Sequence, residues 1–410
     1  MPLRAVLLSL TCLAMAAQKA GDLATRAKAL HHRLLTVDTH CDTPMRMEGS
    51  WKIGERHEPG QRGSGCQDLP RMKEGGLAAS FFAVYLGQGP LTDEGRARAK
   101  AKADQIFDRL DRMFEAHPEL CERALTAADA RRIFQTGRRA IFLGVENGYP
   151  VGREVANVDG LYRRGARYIT LSHNGDNDLC DSSTDTKDPV DRGLSDLGRQ
   201  VVARMNALGM MVDVSHISER SFFDVLKATK APVLASHSCA RALCDHPRNL
   251  TDVQLRALKA NGGVIQLCLV SDFIKALPKS SARAKAQRAL AEKVQKLGGW
   301  DQIQDPKLLA ALGQEWEDLD RNHPQDHATV KDAVDHIDHI VKTIGIDHVG
   351  IGTDFDGGGG LQDCHDVTQL HRITEELLRR GYGEQDIAKI WGGNALRVLE
   401  AAERAASRKP

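Results

Sequence analysis

The sequence predicts an α/β chain closed into a (β/α)8 barrel with one helical insertion. Three observations carry this reading. Eight short apolar runs recur along the chain, and stretches with helical spacing lie between them; such alternation builds a parallel sheet. Eight is also the number of strands that closes a sheet of this kind into a barrel. An open nucleotide-binding sheet would carry a Gly-rich phosphate loop after an early run. The one Gly-rich segment, Asp356-Gly357-Gly358-Gly359-Gly360, instead follows the last run and leads into no Gly-Lys-Ser.

Composition is compatible with this fold. The 410 residues are 41% hydrophobic and 27% charged, which is ordinary for a globular chain. A net charge of +1 gives no reason to expect a nucleic-acid or anionic-membrane partner. Residues 1–20 stand apart. Arg4 precedes the apolar run AVLLSLTCLAMAA at 5–17, and Ala14-Met15-Ala16 offers small residues for cleavage. This is the pattern of a secretory signal peptide, and the run is too short for a comfortable membrane span. The expected product is one domain from 21 to 410, secreted or periplasmic, without a membrane anchor. Of nine cysteines, Cys12 lies in the leader. The other eight form no CxxC zinc pattern, and export would permit some to pair.

The first run, 34–40 (LLTVDTH), continues into Cys41 and Asp42. Residues two apart on a strand share a face, so His40 and Asp42 project together. Cys41 packs outward between them, and Asp38 reads as a supporting group or turn former. Segment 43–76, rich in Gly and charge, reads as a loop over one end of the barrel. The second run, 78–86 (AASFFAVYL), is followed by helices at 95–116 and 124–137. The third, 140–146 (AIFLGVE), ends on Glu146, and the fourth, 167–173 (RYITLSH), ends on His173. A helix at 195–208 opens on a Ser or Asp cap and closes at Gly209. The fifth run, 210–216 (MMVDVSH), ends on His216 and precedes a helix at 219–229. The sixth, 232–237 (PVLASH), ends on Ser236 and His237 and precedes a helix at 252–260. The seventh, 262–269 (GGVIQLCL), leads into 271–327, a Lys/Ala/Gln-rich stretch with Trp300 and Trp316 that reads as a helical insertion. Over 328–344, Val330, Val334, Ile337, Ile340, Val341 and Ile344 follow helical spacing. The eighth run, 348–354 (HVGIGTD), ends on Asp354, with Asp356 placed to orient it or the next loop. Helices at 366–380 and 384–406 close the chain.

Six of the eight runs thus end in a metal-ligating or acid/base group, and a barrel brings all those ends to one face. Three histidines, one Asp and one Glu suit two zinc-like ions sharing a carboxylate. His40 and Asp42 would hold one ion, His216 and His237 the other, with Glu146 between. Two such ions bind a water and lower its pKa from ~15.7 towards ~7. A donor set without thiolate leaves open positions and suits hydrolysis better than a closed structural site. The remaining histidines, among them His31, His32, His57, His117, His323, His327, His336, His339 and His365, fall in helices or loops and read as surface residues.

Several segments resemble, in order, the renal (membrane) dipeptidase family of zinc peptidases, in the form of a secreted bacterial-type member. They are VDTHCDT at 37–43, CQDLPRMKEGGLAASFFAVY at 66–85, GVENG at 144–148, YITLSHN at 168–174, GLSDLGRQVVARMNALGMMVDVSHIS at 193–218, PVLASHSCARALCDHPRN at 232–249, IDHVGIGTDFDG at 346–357 and IWGGNALRVLE at 390–400. The resemblance implies a TIM-type barrel of the metal-dependent hydrolase kind, two Zn2+ ions per subunit, a homodimer, and dipeptides as substrates. It implies that His40 and Asp42 bind the first ion, that His216 and His237 bind the second, and that Glu146 bridges them. A bridging hydroxide would attack the peptide carbonyl. His173 would bind that carbonyl and stabilise the oxyanion. Arg248, in HPRN, would take the substrate's C-terminal carboxylate, a task suited to a guanidinium fork. Asp354 would pass a proton to the leaving amine. Without the resemblance, Arg248 reads as a surface arginine. Some members carry Asn at the position of Cys41, which points away from the metals. The alternative is a related binuclear-metal amidohydrolase acting on another small amide or lactone.

Overall fold

A computed structural model describes residues 21–407, apart from 62, 186, 188, 189, 277, 279, 280, 298–302, 304 and 324–326. The leader read at 1–20, with Cys12, and Trp300 lie outside the described residues. Among the described residues the strands are β1 (Val37–Cys41), β2 (Ala79–Tyr85), β3 (Cys121–Arg123), β4 (Arg139–Glu146), β5 (Ala166–Thr170), β6 (Met211–Asp213), β7 (Leu234–Ser238), β8 (Val264–Leu267) and β9 (Val349–Ile351). Eight of these form a parallel sheet in the order β1-β2-β4-β5-β6-β7-β8-β9, and β3 sits outside that path against β4. The sheet meets itself between β9 and β1. There Asp354 N–H donates to His40 O at 3.0 Å and Asp42 N–H donates to Phe355 O at 2.8 Å. The (β/α)8 barrel expected from the eight runs is therefore the fold.

The helices begin where polar caps allow. Thr92, Ser195 and Ser218 accept hydrogen bonds from first-turn N–H groups, and Thr126, Thr251 and Thr329 form capping boxes with Asp129, Gln254 and Asp332. Each satisfies orphan donors that a bare helix end would leave exposed. Segment 43–76 departs from a plain loop, since it contains short helices at Thr43–Arg46 and Leu69–Gly75. The insertion carries helices Ala282–Lys296 and Pro306–Asn322. They share a small core of their own built from Leu290, Val294, Ile303, Leu312 and Leu319. Among the described residues no helix is long and apolar enough to cross a membrane.

Three sequence expectations need correction. The runs overshoot the strands: β5, β6 and β9 each stop three residues before His173, His216 and Asp354. His216 and Asp354 have φ of +68° and +59°, a left-handed conformation that no strand tolerates. β3 was not anticipated, because three residues are too few for a period to register. His31 and His336 are buried rather than at the surface. His31 packs edge-on against Trp391 with its Nδ1 2.8 Å from Thr374 Oγ1, and burial lowers its pKa to about 3. His336 Nδ1 accepts from Ala240 N–H at 3.1 Å, and Nε2 lies 2.9 Å from Ile274 O, which leaves that nitrogen as the donor. The eight cysteines from Cys41 to Cys364, whose pairing the sequence leaves open, are all free thiols.

One feature of the barrel interior bears directly on the site. Phe142 stacks on Phe81 at 4.5 Å between centroids, and Phe81 stacks on Tyr168 at 5.4 Å. This column fills the floor beneath the strand ends. It has room because residue 144 is glycine: a Cβ there would overlap the Tyr168 ring.

Candidate metal centre

The strand ends converge as a barrel requires. Glu146, the last residue of β4, stands at the centre. Its Oε2 lies 3.5 Å from His40 Nε2 on β1. Its Oε1 lies 3.2 Å from His216 Nε2, 3.5 Å from His237 Nε2 and 3.7 Å from His173 Nε2. One carboxylate thus offers one oxygen to each half of the cluster. Asp42 completes the first half, with Oδ2 3.4 Å from His40 Nε2. The ligand atoms of His40, Asp42 and Asp354 lie within 4.8 Å of one another, as do those of Glu146, His173 and His216. Every one of these side chains except that of His173 is nearly or fully buried.

The surrounding hydrogen bonds set the tautomers. Ser236 Oγ–H donates to Asp213 Oδ2 at 2.6 Å, so Ser236 Oγ accepts from His237 Nδ1–H at 2.8 Å. Tyr168 Oη–H points to Thr39 O at 3.3 Å and its oxygen takes His40 Nδ1–H at 2.8 Å. Both assignments turn Nε2 towards the cluster, the arrangement that outer hydrogen bonds impose on metal-binding histidines, and His237 Nε2 there lies 2.8 Å from His216 Nε2. Asp38, from the first run, accepts from Thr353 N–H at 2.8 Å and from Thr353 Oγ1–H at 2.6 Å, beside Asp354. Asp356 does not touch Asp354's carboxyl. It holds the 43–76 segment through Thr43 Oγ1, Arg46 Nε and Cys66 N.

Electrostatics make the cluster cation-seeking. Burial, then Glu146, raises the pKa of Asp42 to about 6. Burial raises Asp354 far above the usual carboxylate range, with Asp42 and Glu146 adding to it. Asp42 and Asp354, this close to each other, cannot both ionise readily unless positive charge sits between them. Burial lowers the pKa of His216 and His237 well below the usual value, so both stay neutral and able to bind a cation. Two buried atoms at the centre, His40 Nε2 and Asp42 Oδ1, have no hydrogen-bond partner, which is costly unless something binds there. The donors are imidazole nitrogens and carboxylate oxygens, the chemistry of zinc and similar divalent ions. The residues present therefore fit a metal.

The other candidates line the same cleft, a space of ≈ 1470 Å³ over the strand ends. His173 has its pKa lowered to about 3, by burial and then by Arg248, so it enters as a neutral imidazole. Arg248 is not a surface arginine: it is 4% exposed. Asn249 pins its loop by accepting from Cys239 N–H at 3.2 Å and donating to Phe273 O at 2.7 Å. Arg248 then donates through Nη2 to His237 O at 3.1 Å and lies over the Phe273 ring, with Nε buried and unpartnered. Sequence reasoning missed Tyr168, Asp213 and Cys268. Cys268 Sγ lies 3.6 Å from Asp354 Oδ2 and donates to it. Asp213 had a readable signal, a lone carboxylate inside an apolar run. Tyr168 and Cys268 had none.

Gly357 was read only as part of a Gly-rich tail. A Cβ there would overlap both Asp42 Oδ2 and Asp354 Oδ1. Gly357→Ala is expected to push these carboxylates apart and weaken metal binding at least about tenfold, with little change in thermal midpoint. Metal titration followed by calorimetry checks this; unchanged affinity would show that the loop absorbs the methyl group.

Comparison with known proteins matches this chain to a family. The model of the membrane dipeptidase family, peptidase family M19, matches residues 24–410. Dipeptidase tcpJ of Claviceps purpurea is 32% identical over 365 residues, which is 88% of this chain and 75% of tcpJ. The crystal structure of the probable dipeptidase PvdM from Pseudomonas aeruginosa aligns with a TM-score of 0.79 at 31% identity, covering 94% of this chain and 99% of that one. A metallopeptidase of family M19, dipeptidase AC, aligns with a TM-score of 0.71 at 25% identity, covering 90% and 98%.

Proposed function

Because the chain belongs to the membrane dipeptidase family and is a metallo-dipeptidase, we propose that it cleaves dipeptides with two zinc ions, held by His40 and Asp42 on one side and by His216 and His237 on the other. Glu146 would be shared between them. The observation that carries this reading is the split of the Glu146 carboxylate, with Oε2 towards His40 and Oε1 towards His216 and His237. Bound there, such an ion pair supplies an acidified water as nucleophile and polarises the scissile carbonyl.

The protein's own groups do the rest. Arg248 receives the C-terminal carboxylate of the peptide on its fork, which fixes the substrate's length and direction. His173, neutral and carrying one N–H, donates to the carbonyl oxygen as negative charge grows on it. Asp354 has a raised affinity for protons in its buried position. It accepts a proton from the attacking water and returns it to the leaving amine nitrogen. Tyr168 and Ser236 keep His40 and His237 turned with Nε2 inward. The composition of residues 1–20 supports export of the 21–410 domain, and the family resemblance supports a homodimer.

Chelation followed by metal add-back tests the ion count. Hydrolysis of alanyl-alanine should vanish after chelation and return fully only at two equivalents of zinc. Blocking the peptide's C-terminal carboxylate as an amide should cost at least about tenfold in kcat/KM. Full recovery at one equivalent would overturn the two-ion assignment.

A further inference from the structure

We propose that the helix Asp93–Ala116 forms a cationic subsite in the cleft, which selects dipeptides whose N-terminal residue carries an anionic side chain. The proposal rests on the dipeptidase reading above and names its substrate class. Size is the first observation. The cleft holds ≈ 1470 Å³, more than the ~300–1,000 Å³ of a site for a drug-sized ligand. A dipeptide of small residues leaves much of it to water, so the walls beyond the metal centre are available for recognition.

Topology supplies the direction. In the ring order β1-β2-β4-β5-β6-β7-β8-β9, β2 is second and β7 is sixth. They stand on opposite sides of the barrel. Arg248 lies on the loop after β7, and the helix Asp93–Ala116 follows β2. A peptide with its carboxylate at Arg248 and its scissile carbonyl at the metal centre directs its N-terminal residue across the barrel, towards that helix.

Charge supplies the selectivity. Arg98, Lys102 and Arg109 all line the cleft, and their spacing of four and seven residues puts them on one helix face. Glu48 is the carboxylate beside them. Lys102 Nζ lies 2.5 Å from Glu48 Oε1, and Arg109 Nη1 lies 3.4 Å from the same oxygen. Arg98 makes no close ion pair among the described residues, although its charge helps to lower the pKa of Glu94 one turn back, after that group's own hydrogen bonds. On this helix wall three cations therefore stand against Glu48 and Glu94, while the other carboxylates that line the cleft lie on other elements. Arg46, nearby, is already held by Asp356 at 2.6 Å. A side-chain carboxylate reaching this wall finds a net positive field focused by the low-dielectric sides of a cleft.

Steady-state hydrolysis of Glu-Ala, Gln-Ala and Ala-Ala by the metal-loaded enzyme tests the subsite. At low salt, kcat/KM for Glu-Ala should exceed that for Gln-Ala by about tenfold, the sum of two or three partly screened ion pairs. The difference should lie in KM and shrink as salt rises. The double variant Arg98→Glu with Lys102→Glu should abolish or invert the preference while Ala-Ala turnover stays within about twofold. If that variant does not fold, Arg98→Gln with Lys102→Gln should reduce the preference at least about threefold. Equal kcat/KM for Glu-Ala and Gln-Ala in the wild type would overturn the subsite, as would a preference that survives both variants. Failure to hydrolyse any of the three peptides would instead overturn the dipeptidase reading.

Discussion

Replacing Glu146 by Gln is expected to lower kcat/KM by more than about a thousandfold, or ~4 kcal/mol at 1.36 kcal/mol per tenfold, and to remove metal. The amide keeps the shape of the carboxylate and its place at the end of β4, so packing is conserved. It loses the negative charge that faces His40 through one oxygen and His216 and His237 through the other. No neighbouring carboxylate reaches both halves. The metal-free fold should not suffer, because Glu146 is part of what pushes Asp42 and Asp354 towards their protonated forms. Metal analysis, thermal melting and peptide hydrolysis on one preparation check this. A variant that keeps two equivalents of metal and near-normal turnover would remove Glu146 from the bridge.

The second large effect is expected at Asp354. Asp354→Asn should retain both metal equivalents and lose about 10²–10⁴ in kcat, the usual share of a general acid–base. Asparagine still accepts from Cys268 and fits beside Gly357, but it cannot take a proton from water or give one to an amine. KM should change little, since Arg248 and His173 are untouched. The outcome also separates two roles, because Asp354 has a ligand atom within 4.8 Å of those of His40 and Asp42. Activity lost together with one metal equivalent would make Asp354 a ligand instead of the proton carrier.

The parts of the site that could be read from sequence are those with a local pattern. Apolar runs ending in His or Glu mark the ends of β1, β4 and β7, and the barrel rule makes those ends neighbours. His216 and Asp354 were legible by residue, but the ends of β6 and β9 were placed three residues too far along, because a left-handed backbone has no signature in a non-glycine residue. Arg248 was legible only through family resemblance: its burial comes from a loop that Asn249 pins and from Phe273, which meets it from a separate segment. His31 and His336 escaped for a related reason. A histidine on the inner face of a helix shares the register of its apolar neighbours, and only its distant partners Thr374, Ala240 and Ile274 reveal it. Tyr168 reads as an ordinary strand aromatic until Gly144 is seen to make room for it.

The seam between β9 and β1 has a consequence for how the enzyme comes to exist. Its hydrogen bonds run between His40 and Asp354 and between Asp42 and Phe355, residues more than 300 positions apart. Contacts of such high sequence separation carry the largest loop-closure cost and slow the folding of a chain. Three of these residues belong to the proposed site, His40 and Asp42 as metal ligands and Asp354 as the proton carrier. A nascent chain that has not yet made β9 has neither a closed barrel nor Asp354, so it is a peptidase without activity until synthesis is nearly complete. Topology alone thus keeps the unfinished enzyme silent, with no inhibitory segment needed to do so.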